Sequence, residues 1–377
     1  YINIDIEKAT KTFTMMNGSK ATMLQEELVK AEMLRKVSLP DIIEKKVSSS
    51  VEDNLSDLKE IISKDWESNS LRSRYAREWD KWLYWWNRKD VKEFFSIENP
   101  MGLLLQFFCF KEYQIEFTFD FLKVKLQGKK ETKQIFKKLR DLQKTFEDIF
   151  NIPTVHNYLK MSLLCSNGLK DKFEIINYFM ISKNNENLIK EYANYRLIYA
   201  THLEITDPEK SKSDTNKEER AINALKLLSQ PYVYWDENDE EYNDNRKNLA
   251  FTQLLRLNVL EDNKLNRKFD FSIWNNRSLE HIFPKSCRDK IKWGNLSVHC
   301  IGNLVLLFGK NNSTFGAKDF SAKKNYYFNT AEKFESRNLL HTISVFANSE
   351  WTINEIEENQ IKFLERFEHD YQIKLKN

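Results

Sequence analysis

Glycine and proline are scarce, with eight and six in 377 residues. Tight turns and sheet corners draw on both, so a turn-rich all-β chain is excluded and long helices are favoured. Cysteine is as sparse. Cys109, Cys165, Cys287 and Cys300 form no CxxC pair, which excludes a disulfide scaffold and fits a reducing cytoplasm. The longest apolar run, Met101 to Phe110, is broken by Gln106 and falls well short of the ~20 residues a membrane helix needs. No basic-then-apolar leader opens the sequence, so secretion is not expected. The chain begins at Tyr1 rather than Met, and we expect it to be a fragment that has lost part of an upstream domain.

What is present suffices for a folded core: 41% hydrophobic residues, with 26 Phe, 15 Tyr and 9 Trp. The net charge of +3 points to no partner, but its distribution does. Between Arg277 and Lys324 nine basic residues face three acidic ones, so this segment carries +6. A local positive field of that kind attracts phosphate backbones, although a merely solvated basic face would look the same.

Hydrophobic spacing predicts helices through most of the chain. Phe13, Met15, Met16 and Asn17-Gly18 suggest an extended segment and a turn. Thr22-Met-Leu-Gln25 reads as a capping box opening a helix that Pro40 closes. Ile42 to Trp66 reads as one or two helices with a break at Ser48–Ser50, and Leu71 to Phe95 as another. On the latter, Trp79, Trp82 and Trp86 share one stripe, which we assign to helix packing rather than base stacking. Phe117 to Leu126 fits strand or helix. Glu131 to Phe150 is amphipathic, and shorter helices are expected around 154–166, 171–182, 187–203, Ala221–Leu228 and Asn245–Leu260. Residues 204–220 read as a mobile loop. The acidic run Trp235 to Glu241 lacks the glycine and spacing of a calcium loop. Thr352-x-x-Glu355 opens a C-terminal helix.

The chemistry-bearing stretch is Ser278-Leu-Glu-His-Ile-Phe-Pro284, then Ile301-Gly-Asn-Leu-Val-Leu-Leu307, then Asn311-Asn312. Glu280 can hold a cation while the neutral imidazole of His281 serves as a general base. Asn303, at the mouth of an apolar strand, can bond the preceding loop and so orient His281. Asn312 can supply a second oxygen ligand; Asn311 is the alternative. One carboxylate and one amide suit a hard divalent ion that keeps several waters. Cys287, His299 and Cys300 could be three zinc ligands, but no fourth is evident and zinc is not expected.

Glu-His-Ile-x-Pro, Gly-Asn-Leu-x-Leu-Leu, then Asn and Lys, resembles the HNH (His-Me finger) nucleases. It is most similar to the C-terminal nuclease domain of GmrSD-type, modification-dependent restriction endonucleases. Phe13-x-x-Met16-Asn17-Gly18 with Leu24 and Glu27-Leu-Val-Lys30 resembles the end of that family's ParB-like N-terminal domain. The resemblance covers residues 8–36 and 270–330, and the family's frequent paired CxxC zinc ligands are missing here.

The resemblance implies a mainly α chain: a large helical region plus a small ββα-metal nuclease unit near the C-terminus. Residues 1–40 would be the tail of the ParB-like domain, 41–270 a helical domain, 271–330 the nuclease unit, and 331–377 a C-terminal helical segment packing on it. Carried over, His281 is the base, Asn303 its orienter, and Glu280 and Asn312 the metal site. His281 would end the first strand, Asn303 start the second and Asn312 begin the helix. Lys285, Lys310, Lys318, Lys323 and Lys324 would meet the nucleic acid. The expected cofactor is Mg2+, with Mn2+ as substitute. The expected partners are duplex DNA, the upstream domain of the same polypeptide and, in a homodimer, a second copy held through the helical middle. The implied role is metal-dependent DNA hydrolysis in bacterial anti-phage defence, in the cytoplasm. Two alternatives stay open: a catalytically degenerate DNA- or protein-binding module, and an RNA-cleaving enzyme.

Overall fold

The structure, a computed structural model, describes residues 23–38, 51–96, 99, 101–199, 217–237, 243–290, 292–330 and 335–374. The extended segment and turn at 13–18, the Ser48–Ser50 break and residues 204–216 of the expected loop lie outside the described residues, as do Thr22 and the end of the acidic run; residues 217–220, expected as loop, are helical. The described chain is mainly helical, and its one sheet among the described residues has two strands. It divides into two compact units, Tyr1–Phe146 and Glu147–Asn377.

The first unit contains α1 (Gln25–Val37), α2 (Val51–Asn87), α3 (Lys89–Phe95), α4 (Gly102–Tyr113), α5 (Phe119–Lys125) and most of α6 (Lys129–Asn151). Helix α1 opens at Gln25, where the Glu27 carboxylate accepts the Leu24 N–H at 3.0 Å. The helices expected up to Trp66 and from Leu71 are joined, and the one expected over Leu71–Phe95 divides after Asn87 into α2 and α3. No glycine or proline interrupts 51–87, so α2 runs unbroken for 37 residues. The ambiguous stretch at 117–126 resolves as a short helix because the Thr118 hydroxyl accepts the Phe121 N–H and caps it. The tryptophan stripe is core. Trp79, Trp82 and Trp86 are buried, Trp86 meets Phe146 edge-on at 5.1 Å, and its indole N–H donates to Gln143 at 2.7 Å.

The second unit begins with the end of α6 and continues through α7 (Pro153–Leu164), α8 (Gly168–Ser182), α9 (Glu186–Tyr199), α10 (Lys217–Leu228) and α11 (Asn243–Lys264). Strands β1 (Arg277–His281) and β2 (Leu304–Phe308), and helices α12 (Gly309–Phe315), α13 (Phe320–Asn329), α14 (Leu340–Phe346) and α15 (Ile353–Tyr371), complete it. One buried carboxylate ties distant helices together. Asp370 on α15 meets Arg256 of α11 at 2.6 Å and Lys190 of α9 at 2.8 Å.

The site rests on β1, β2 and α12. Glu280 pairs with Val305 and His281 with Leu304 in an antiparallel register. All five residues of β2 are buried. A strand covered on both faces needs an unbroken apolar run, which Leu304-Val-Leu-Leu-Phe308 supplies, and each fully buried side chain contributes roughly 1.5–3 kcal/mol. Thr342 of α14 donates to the Leu306 carbonyl at 2.8 Å, and the Ser336 hydroxyl accepts the Phe308 N–H at 3.0 Å. Gly302 lies against α15 so closely that a Cβ would overlap the Ile356 carbonyl. Helix α15 begins where expected: the Thr352 hydroxyl accepts the Asn354 N–H and the Glu355 carboxylate accepts the Thr352 N–H.

Candidate active site

Side chains alternate along a strand, so Ser278 and Glu280 share one face of β1 while Arg277, Leu279 and His281 share the other. Helix α12 follows β2 directly and packs against both strands. From it, the Asn312 amide donates to the Ser278 hydroxyl. The amide therefore lies on the Glu280 side of the sheet, two positions along the strand from the carboxylate.

Glu280 is buried and paired. Its carboxylate lies 2.6 Å from the Lys323 ammonium, itself only 1% exposed, and Lys323 also donates to the His281 carbonyl at 2.6 Å. Burial pushes the Glu280 carboxyl above the ordinary carboxylate value, and the adjacent Lys323 charge works against that shift.

His281 is 5% exposed. Its Nε2 is 3.2 Å from Nδ1 of His299, and Tyr234 meets its ring edge-on at 4.5 Å. Burial, and then the positive charges of Lys285, His299 and Lys323, hold the imidazole well below its ordinary value. It is therefore neutral around pH 7 and able to accept a proton.

Asn303 ends a single 3-10 turn, Ile301–Asn303, immediately before β2. Fully buried, it accepts the Phe283 N–H at 2.8 Å and the Trp351 indole N–H at 3.2 Å. Its amide donates to the carbonyls of Phe283 at 3.0 Å and Val298 at 2.9 Å. It thus clamps the chain just beyond His281 to the segment carrying His299. Asn311 is engaged elsewhere, its oxygen accepting the N–H and hydroxyl of Ser336. Asn312 lies in the middle of α12 rather than at its start.

The five lysines are not one patch. Lys323 is turned inward on Glu280. Lys285 is exposed over the Tyr234 ring at 4.2 Å, Lys310 and Lys318 are exposed, and Lys324 donates to the Asn348 carbonyl. Two residues near His281 had no assigned role here. The sequence offers His299 only as a zinc ligand, although it lies two residues before the Ile301-Gly-Asn303 turn. Tyr234 had no signal; its N–H bonds the His299 carbonyl at 3.0 Å.

The donor set suits a hard divalent ion. Glu280 keeps an oxygen beyond the one paired with Lys323, and the Asn312 oxygen has no hydrogen bond among the described residues. No three His, Cys, Asp or Glu side chains gather as a metal cluster among the described residues. No described helix is long and apolar enough to cross a membrane.

No curated protein matches the chain. Residues 232–366 match the family model described as GmrSD restriction endonucleases, C-terminal domain. That span takes in β1, β2 and α12 with every residue of the site just described, and residues 232–366 therefore belong to the GmrSD restriction endonuclease family as its C-terminal domain.

Proposed function

We propose that this region is an HNH-type endonuclease that hydrolyses DNA phosphodiester bonds with Mg2+ or Mn2+, in bacterial defence against foreign DNA. The observation that carries the reading is the sharing of one two-stranded sheet by a buried, neutral imidazole and a carboxylate with an amide on its side. On this reading the antiparallel strands followed by α12 are the ββα unit.

His281 removes a proton from the attacking water. Nε2 is engaged by His299, and Nδ1, which has no hydrogen bond among the described residues, is the acceptor. Asn303 fixes the backbone on both sides of that pair and so sets the ring's direction. Glu280 and Asn312 would hold the divalent ion, which supplies neutralisation of charge at the phosphate and the leaving oxygen. Lys323 offsets the cost of keeping Glu280 ionised while buried, and so enters as a counter-charge to the ligand rather than as a phosphate contact. The products expected are 5′-phosphate and 3′-hydroxyl ends.

The test is plasmid cleavage with Mg2+, with EDTA and by His281→Ala. Nicking by the wild type alone, lost with EDTA, supports the reading; equal cleavage by both proteins, or none by the wild type with any divalent ion, sinks it. RNA in place of plasmid separates the two substrates.

A further inference from the structure

A polar cleft of about 560 Å³ lies between α11 and β1, and its lining includes Tyr234, Asp244, Lys247, Phe251, Arg277 and Ser278. It adjoins both halves of the site. Ser278 is the residue that Asn312 bonds, and Tyr234 is the ring in edge contact with His281. We propose that this cleft binds the phosphodiester backbone of the DNA strand being cut, with Arg277 and Lys247 as its phosphate contacts. The assignment rests on the nuclease reading above and specifies where its substrate lies.

Arg277 is an exposed cation held ready without a counter-charge. Its guanidinium lies 4.2 Å over the Phe251 ring, 5.3 Å from the Trp274 ring and 3.5 Å from the Asn248 amide oxygen. No carboxylate pairs with it among the described residues. Stacking fixes the plane of the fork, which is the geometry that engages a phosphate through two parallel bonds. Lys247 lies over Trp235 at 4.8 Å and Tyr234 at 5.3 Å. Its acidic neighbour Asp244 is 3.6 Å away but 98% exposed, so solvent screens that pair. Lys285, on the same tyrosine ring at 4.2 Å, extends the positive field toward His281.

Two of the other cations near the site are already engaged. Lys323 is committed to Glu280, and Lys324 to the Asn348 carbonyl. Arg277 is four residues before His281 on the same strand, roughly 13 Å along it. A phosphate held there is thus positioned by the element that carries the base, so strand binding and bond cleavage share one rigid frame.

The test is binding of a short labelled DNA duplex by the full chain carrying His281→Ala, followed across a salt series. Adding Arg277→Gln with Lys247→Gln is expected to weaken binding about tenfold and to lower the salt slope by about two, close to one per lost phosphate contact. Lys226→Gln with Lys362→Gln, exposed lysines on α10 and α15, serves as the matched loss of charge and should leave both quantities unchanged. Lys247→Gln alone, at a side chain that closes no core, should give about half the slope change and guards against a folding defect at Arg277. Unchanged affinity and slope in the double variant, or an equal loss in the control pair, overturns the proposal. So does displacement of the duplex by an equal concentration of a free mononucleotide, which would make the cleft a nucleotide site. A protein that binds DNA through the cleft but never cuts it sinks the catalytic reading and leaves this one standing. One that cuts at full rate without both cations sinks this one alone.

Discussion

Lys323→Met should expose the cost of burying Glu280. The lysine is 1% exposed and its ammonium sits 2.6 Å from the Glu280 carboxylate. Removing one partner of a buried pair leaves an uncompensated charge and typically costs 3–5 kcal/mol. The carboxylate can escape by taking up a proton, and burial already pushes it in that direction. A carboxyl whose folded pKa lies above its unfolded value is favoured at low pH and loses that advantage as pH rises. The variant should therefore lose about 3 kcal/mol at pH 8 and under about 1 kcal/mol at pH 5. For a unit of this size that is a fall in Tm of about 6–12 °C at the higher pH. Glu280→Gln combined with Lys323→Met should recover about 2 kcal/mol of the loss, since both charges are then gone. Urea or thermal unfolding of the four proteins at both pH values gives the cycle. A Lys323→Met protein within about 0.5 kcal/mol of wild type at pH 8, or losses that simply add, would refute the reasoning.

Asn303→Ala should cost about 3 kcal/mol or more, because it leaves the Phe283 N–H and the Trp351 indole N–H buried without their acceptor; a loss under about 1 kcal/mol in urea unfolding would contradict the clamp. His341 is neutral in the fold, with burial pulling its pKa to about 4. A depressed imidazole contributes stability present above about pH 6.5 and lost as pH falls toward the folded value. After discounting for its partial exposure, His341→Gln should lose about 1 kcal/mol less than the wild type between pH 7 and pH 5, and equal losses by thermal unfolding would count against that burial.

Much of the fold was readable from spacing. The lack of glycine and proline gives long helices, the Trp79–Trp82–Trp86 stripe gives a core face, and the apolar run at 304–307 gives a buried strand. The position of His281 at the end of β1 was implied by the resemblance to the HNH nucleases. Spacing fixes where an element lies along the chain but not which neighbour each face meets. Lys323 shows the difference. It falls between Phe320 and Tyr327 on the buried stripe of α13, a three-and-four spacing that already marks it as inward, yet its positive charge suggested a surface role. Its partner Glu280 lies on another element 43 positions away, and only packing brings the two together. Tyr234 was illegible for the same reason. Nothing in its neighbourhood signals that a backbone bond to His299 will draw its ring onto His281.

The central claim is that Glu280 and Asn312 share one divalent ion on the strand that carries His281. Anomalous diffraction from crystals soaked in Mn2+ tests it most directly. The account predicts a single strong peak in contact with a Glu280 carboxylate oxygen and the Asn312 amide oxygen, on the face of β1 that carries Ser278. No peak there at saturating Mn2+, with Lys323 still seated on Glu280 and the Asn312 oxygen turned elsewhere, would contradict it.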